Sequence, residues 1–524
     1  MLRRLLINIK MKTKKLLFGK YVLDSLSVGM YNHPFTLFRE YIQNSADAID
    51  ELHTKQKASK KHARIDIEID GAAKSILIKD TGLGISAKSA WAVLHNIGAS
   101  TKNKNMSRGF RGIGRLGGLG YCDELSFTTK ARGERTTSTS VWDCKKLRDI
   151  ISGKDKTIDA REIVQKVTVF TQTKYDGNIN DHYFIVEMKN VRSSKSLLLN
   201  VPLIKKYLAQ VAPVPFALNG FSYFQEIERT IKEKTGSYKT YSIFVNGDQV
   251  FKPYLDRIQI SKGLADQISG IEIKELAHEN ETLAIGWVAN LKLLGAINPS
   301  YGIEGIRVRS GNILVGDRSI LSNYYKESRF SNYLVGELYI ASEKLVLNGR
   351  RDDFEDNKYK ELFYSIFLKE IGLPYSLKIR SISELRSEHN KQCKLQYLQT
   401  TANRIVKKGH LSEAHRTKVA SDISYYIKNS DEEISSKLKE LLPKVENSRH
   451  LLSINYSHIP NGVKSLLSKM FDTIYKNITD KNEAERAINS IIKIVGNNHQ
   501  ASAQYKKLGG IVLESRLSRN VFAR

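Results

Sequence analysis

Apolar and polar positions recur at two different periods along this chain, and the change from one to the other marks its elements. Residues 38–52, FREYIQNSADAIDEL, repeat every three or four positions, the period of a helix face. Glu40, Asn44, Asp47 and Glu51 share one stripe, Tyr41, Ser45, Ala48 and Leu52 the next, and Ile42, Ala46 and Ile49 the one beyond. Most of the circumference is apolar or small. The pattern predicts a helix packed into a core on two sides that turns a carboxylate, an amide and a second carboxylate toward a cleft. A surface helix with a solvated acidic face is the other reading. Residues 21–31 form a lead-in, Asn32-His33-Pro34 a turn able to cap the helix, and residues 53–62 a polar, lysine-rich link.

The period then drops to two. Arg64-Ile65-Asp66-Ile67-Glu68-Ile69-Asp70 alternates strictly, the mark of a strand with one buried face, and residues 75–79 return as its partner after a turn. At that strand's end stands Asp80-Thr81-Gly82-Leu83-Gly84-Ile85. A carboxylate fixed there, followed by glycines that let a flat ligand approach the backbone, suits recognition of an adenine amino group; a plain Asp-Gly turn is the alternative. Residues 91–97 look helical, and a polar loop from Gly98 ends in the glycine-dense stretch 108–120. Glycines so spaced allow backbone amides and a helix N-terminus to converge on phosphate oxygens. A flexible linker is the other reading, although linkers rarely interleave Phe, Ile and Leu. No Gly-Lys-Ser/Thr closes the stretch and no parallel strand precedes it, which excludes a Walker loop and a Rossmann turn. Strand-like runs follow at 125–130, 135–144, 166–172 and 182–189, with links short enough for an antiparallel sheet.

A second region, 196–375, mixes both periods. Residues 202–208 start a helix that Ala212-Pro213-Val214-Pro215 breaks, and strands are expected at 241–245, 283–288, 305–312 and 335–340. From 376 to 524 the strand signals thin out. Residues 383–407 and 432–442 look helical, and Ile488, Ile491, Ile492 and Val495 hold the spacing of a buried helix stripe. This helical region could serve as a dimer interface, a surface for a client or polyanion, or a self-contained cap.

Composition narrows the partners. A chain of 524 residues suggests roughly three domains, and 41% hydrophobic content is that of a globular protein. Cys122, Cys144 and Cys393 have no paired or metal-like spacing, which fits a reducing cytoplasm. No apolar run approaches the ~20 residues needed to cross a bilayer, so a soluble chain with no membrane partner is expected. The basic opening MLRRLLINIKMKTKK is too interrupted for a signal peptide, and Met11 could be the true start. A net charge of +28 attracts polyanions without naming one.

Taken together, Glu40-x3-Asn44-x2-Asp47-Ala48, Asp80-x-Gly82-x-Gly84 and Gly109-x2-Gly112-x-Gly114 resemble the three boxes of the Bergerat-fold ATPases, the GHKL superfamily. That group includes gyrase-type topoisomerases, ninety-kilodalton heat-shock chaperones, histidine kinases, and the MutL and MORC proteins. The resemblance covers roughly residues 20–370. It implies an α+β fold: a Bergerat α/β sandwich with a mostly antiparallel sheet (1–195), an S5-like α/β transducer (196–375) and the helical C-terminal region (376–524). It also implies that Glu40 polarises the attacking water, Asn44 binds Mg²⁺, and Asp80 takes the adenine amino group. The glycine loop would wrap the triphosphate as a lid. ATP contacts are implied for Asn44, Asp47, Asp80, Gly82, Gly84, Ser100, Thr101, Lys102, Gly109, Gly112, Ile113 and Gly114.

Leu347-Asn348-Gly349-Arg350-Arg351-Asp352 looks like the middle-domain loop from which those chaperones extend an arginine to the γ-phosphate. Arg351 matches it by position, with Arg350 next. The short span between Ser100-Thr101-Lys102 and Gly109 is more like MutL. Where the chaperones carry a phosphate-contacting threonine before the domain's last strand, this chain has His182 or Tyr183. Only about forty residues precede Glu40, too few for a kinase's phosphoacceptor helix. The expectation is a cytoplasmic, Mg²⁺-dependent ATPase, a homodimer resembling the heat-shock chaperones and acting on client protein. A MutL- or MORC-like clamp on DNA is the alternative, and an adaptor with purely structural nucleotide the third reading.

Overall fold

The computed structural model describes residues 18–27, 33–56, 63–98, 114–154, 158–410, 413–429 and 432–448, with scattered positions between 467 and 491. The elements run α1 (Tyr21–Ser27), α2 (Thr36–Gln56), β1 (Arg64–Asp70), β2 (Ser75–Asp80), α3 (Ala87–His95), β3 (Glu124–Lys130), β4 (Thr136–Asp143), α4 (Cys144–Ser152), α5 (Ala160–Val167), β5 (Thr168–Lys174), β6 (Tyr183–Lys189), α6 (Val201–Val211) and α7 (Phe224–Thr235). After them come β7 (Ser242–Val245), β8 (Asp248–Gln249), β9 (Arg257–Ser261), β10 (Leu264–Gln267), β11 (Ile271–His278), β12 (Glu281–Ala289), β13 (Gly305–Ser310), β14 (Ile313–Leu314) and β15 (Val335–Ile340). The chain continues with α8 (Lys358–Phe367), α9 (Leu373–Lys408), α10 (Glu413–Asn429) and α11 (Glu432–Glu446). This is the α+β class that the resemblance implies.

Eight strands form the first sheet in the order β5-β4-β3-β6-β2-β1-β7-β8. β1 and β2 pair antiparallel with Ile67 opposite Ile78, so the alternating isoleucines line one face, and Ile65, Ile67, Ile69, Ile76 and Ile78 are all buried. Against that face lies α2, contributing Leu37, Phe38, Tyr41, Ile42, Ala46 and Ile49 to the same core. Each large apolar side chain so buried stabilises the domain by roughly 1.5–3 kcal/mol. The site helix is thus fixed by its apolar stripes.

One strand departs from the linear reading. Residues 241–245, expected in the second region, supply β7, which runs parallel to β1 with Ile65 beside Ile243. The local alternation identified a strand but carried no information about its partner. The second sheet has the order β11-β12-β15-β13-β14, with β13 and β15 parallel, and α7 and the aromatic cluster around Trp287 pack on it.

Residues 1–381 form one compact unit and 382–524 another. In the second, the end of α9 packs with α10 and α11 around Leu398, Ile405, Val419, Ile423, Leu438 and Val445. Ile488 is buried and Ile491 half-buried; Ile492 and Val495 lie outside the described residues. No helix among the described residues is long and apolar enough to cross a membrane.

Candidate functional site

α2 begins at Thr36, two residues after Pro34, whose fixed backbone suits the turn into a helix. The turn is closed by Thr36 N–H donating to His33 O at 3.0 Å, and His33 Nδ1 accepts from Phe35 N–H at 3.2 Å. One turn in, Glu40 is only 6% exposed. A buried carboxylate needs a partner, and it has one from far away in sequence: Arg351 Nη1 lies 3.0 Å from Glu40 Oε2 and 3.1 Å from Oε1. Arg39 Nε sits 3.8 Å from Oε1.

The loop that delivers Arg351 is closely held. Leu347 bridges Phe354, Asn348 N–H donates to Asp353 O at 2.9 Å, and Asn348 Nδ2 donates to Asp352 Oδ1 at 2.7 Å. Arg351 itself has φ +56°, a left-handed conformation that costs an L side chain of order 1 kcal/mol or more. Two donors hold it there: its carbonyl accepts from Gly316 N–H at 3.0 Å and from Arg39 Nη1 at 3.5 Å. Arg39 Nη2 also donates to Arg350 O at 2.9 Å. Arg350 is exposed, so of the two adjacent arginines, 351 is the one turned onto Glu40.

The Asp80 turn rests on the other end of the acidic stripe. Asp80 is 3% exposed and its Oδ1 accepts from Gly82 N–H at 2.8 Å. Leu83 N–H donates to Ala48 O at 3.2 Å, and a methyl group on Gly82 would come within 2.6 Å of Ala48 Cβ. Gly84 has φ +69°, and a Cβ there would lie 2.1 Å from Lys130 O. Both glycines are therefore required by close approach, the second also by conformation. His182 Nδ1 donates to Gly82 O at 2.8 Å, which places its imidazole on this turn. Lys130, fully buried, holds the segment before β6 through Ile179 O at 3.0 Å and Asp181 O at 2.5 Å.

The glycine-dense stretch meets the helix at Gly114, where a Cβ would fall 2.6 Å from Glu40 Oε2. Just after it, the Tyr41 hydroxyl donates to Arg115 O at 3.1 Å and accepts from Gly118 N–H at 3.0 Å. Burial lowers Arg115 to about 10, and its Nη2 donates to Asn96 O at 2.6 Å, which ties this residue to the end of α3. Ser100, Thr101, Lys102, Gly109, Gly112 and Ile113 lie outside the described residues.

α2 thus gathers what the sequence separates: the Asp80 turn on Ala48, Gly114 on Glu40, and Arg351 on Glu40. Asn44 is half-buried on the same stripe and Asp47 buried. No group of three or more His, Cys, Asp or Glu able to hold a metal occurs among the described residues. One amide beside a carboxylate is the sparse donor set that suits Mg²⁺ carried largely by phosphates and water. The periodicity gave no hint of Arg39, Tyr41 or Gly316 as holders of the flanking loops, because each acts on a segment distant in sequence. A basic residue beside Glu40 was the only signal for Arg39.

The family described as "Histidine kinase-, DNA gyrase B-, and HSP90-like ATPase" matches residues 33–175. Among curated proteins, the chain is similar to the chaperone protein HtpG of Rickettsia akari, 26% identical over 202 residues that cover 35% of this chain and 31% of that protein. It is also similar to HtpG of Rickettsia canadensis, 26% identical over 203 residues with the same coverage. To HtpG of Burkholderia lata it is 26% identical over 176 residues, 30% of this chain and 27% of that protein. The chain spans under a third of the length of these relatives.

Proposed function

From residues 33–175 as an ATPase domain of the histidine kinase, DNA gyrase B and HSP90-like type, we propose that the protein binds and hydrolyses Mg²⁺-ATP. Nucleotide state would then change the arrangement of its domains, in the manner of a chaperone. The observation that carries this reading is the 3.0 Å pair between Arg351 and Glu40, a cation delivered from one region onto the carboxylate of another.

Asp80 receives the adenine amino group on the turn that Gly82 and Gly84 make possible, and Asn44 and Asp47 contact the nucleotide. Mg²⁺, bound by Asn44 and phosphate oxygens, would neutralise charge on the transferring group. Glu40 orients and polarises the attacking water. Arg351 exchanges Glu40 for a phosphate oxygen, which frees the carboxylate to act on water and stabilises charge at the phosphoryl group. The glycine-dense stretch would act as a lid that excludes bulk water on closing. This exchange couples hydrolysis to seating of the 347–354 loop, hence to domain arrangement. A homodimer acting on client protein follows as the working form.

The net charge of +28 favours a second reading, an ATP-gated clamp on DNA. Turnover by the purified chain, alone and with duplex DNA, beside Glu40→Ala and Arg351→Ala, separates these. DNA stimulation that falls steeply with salt supports the clamp; suppression of client aggregation without DNA supports the chaperone. Equal turnover in parent and both variants would remove the assigned roles.

A further inference from the structure

A cluster of charged side chains lies buried against the second sheet, on β13, β15 and the segment around Lys252. Glu337 on β15 is fully buried. Its Oε1 accepts from Arg309 Nε at 2.5 Å and from the Tyr254 hydroxyl at 2.8 Å. Its Oε2 accepts from Lys252 Nζ at 2.9 Å and from the Tyr339 hydroxyl. Arg307, also buried, reaches the carbonyls of Gly302 and Ile303 at 2.6 and 3.0 Å. Two cations on one buried carboxylate, with the Arg307 guanidinium buried beside them, is an expensive way to fill a sheet, since apolar residues of similar volume often serve stability as well or better. What a buried carboxylate with four donors on it supplies is a single register for everything attached to it.

Three arms leave it, and all lead to the site. Arg309 Nη2 donates to Gln210 O at 2.8 Å in the last turn of α6. On the same helix Tyr207 packs on Phe35, just before the start of α2, with ring centroids 5.3 Å apart. Asn312 takes Lys252 Nζ at 3.1 Å and donates to Lys239 O at 3.0 Å; Lys239 Nζ and the Tyr241 hydroxyl then hold Asp50 of α2 at 3.0 and 2.7 Å. Beyond β14, Val315 N–H donates to Val308 O at 2.8 Å, and Gly316 N–H next to it holds the Arg351 carbonyl.

We infer that the Glu337–Arg309–Lys252 cluster is a positioning network for the nucleotide site, holding α2 near both ends and the 347–354 loop from its far side, so that it sets how Arg351 seats on Glu40. Its effect on turnover rests on the function proposed above; its effect on the loop does not. Lys252 makes the network responsive to protons. It faces Glu337 and Tyr339 of β15, Arg307 and Arg309 of β13, Glu228 of α7 and nearby Tyr254. Burial first, then the arginines, bring its ammonium down to about 7 against the pull of Glu337.

Hydrogen exchange on the full chain without nucleotide tests this. In Glu337→Gln, amides of residues 348–353 are expected to exchange about tenfold faster while those of β1–β6 stay within about twofold of the parent. In the parent, loop protection corrected for intrinsic exchange should change about threefold between about pH 6 and pH 8, and in Lys252→Met it should not. Glu337→Gln should also lower kcat about tenfold at unchanged nucleotide affinity. Parental loop exchange in Glu337→Gln, or acceleration confined to the second sheet, overturns the inference. Should Glu337→Gln not fold, a pH response that persists in Lys252→Met overturns it alone. A parent that never hydrolyses ATP, with the loop responding as stated, removes the proposed function and leaves this network standing.

Discussion

Glu40 and Glu337 are both buried carboxylates facing arginine, yet they are held in opposite ways. Glu337 has four donors from side chains that are themselves buried, and burial is outweighed by Arg309 and Lys252, which hold it down at about 2. Glu40 has one close partner among the described residues, Arg351, whose side chain keeps 13% exposure and rides on a loop with left-handed backbone. A saturated pair is permanent because every departure leaves a buried charge unpaired. A pair with one exposed-side partner can be exchanged for a better one. The first arrangement suits a fixed framework and the second a site where ligand charge arrives and leaves.

The largest effect should come from the exchangeable carboxylate. Glu40→Ala is expected to lower ATP turnover ~10²–10⁴-fold with nucleotide binding retained; single-turnover kinetics beside equilibrium binding checks this, and a loss of binding instead would make Glu40 a ligand contact. Arg351→Ala should cost about 10³ in kcat, whereas Arg350→Ala, exposed and held through its backbone, should stay within about twofold; reversal of the two would transfer the role. At the permanent carboxylate the loss should be in stability: Glu337→Ala is expected to cost about 3–5 kcal/mol in urea unfolding, and a cost below 1 kcal/mol would mean the network is slack. Gly84→Ala, forced against Lys130 O, should cost about 2–3 kcal/mol by the same measurement. The smallest effect concerns Lys252. Its folded value lies below its unfolded one, so from about pH 7 upward the unfolded chain binds the extra proton and stability rises with pH, by at most ~1.4 kcal/mol per unit. Urea midpoints at successive pH values should rise less steeply in Lys252→Met; parallel lines would deny the shift.

The same two regions show where sequence is informative. α2 and the β1–β2 hairpin were legible because each buries one face, so the period reports orientation directly. Residues 36–56 and 64–80 fold as the 38–52 and 64–79 patterns anticipate. β13 shows the failure. Gly305-Ile306-Arg307-Val308-Arg309 alternates as if its arginines faced solvent, but both are fully buried. Arg309 is neutralised by Glu337, 28 positions away, and Arg307 is capped by the carbonyls of Gly302 and Ile303, and neither partnership has a signature in the alternation. α7 and α10 also passed unrecognised. For the site, the acidic stripe and Asp80 turn were visible as motifs, while Arg39 and Tyr41 matter only through contacts that folding creates.

The parallel pairing of β7 with β1 bears on how this protein should be cut. A fragment ending near residue 195, where the motifs stop, would strip β7 and β8 from the sheet and leave the backbone of β1 as a raw edge beside its hydrophobic face, an open template for self-association. Any excised nucleotide-binding piece should therefore extend through Gln249, carrying α6 and α7 with it.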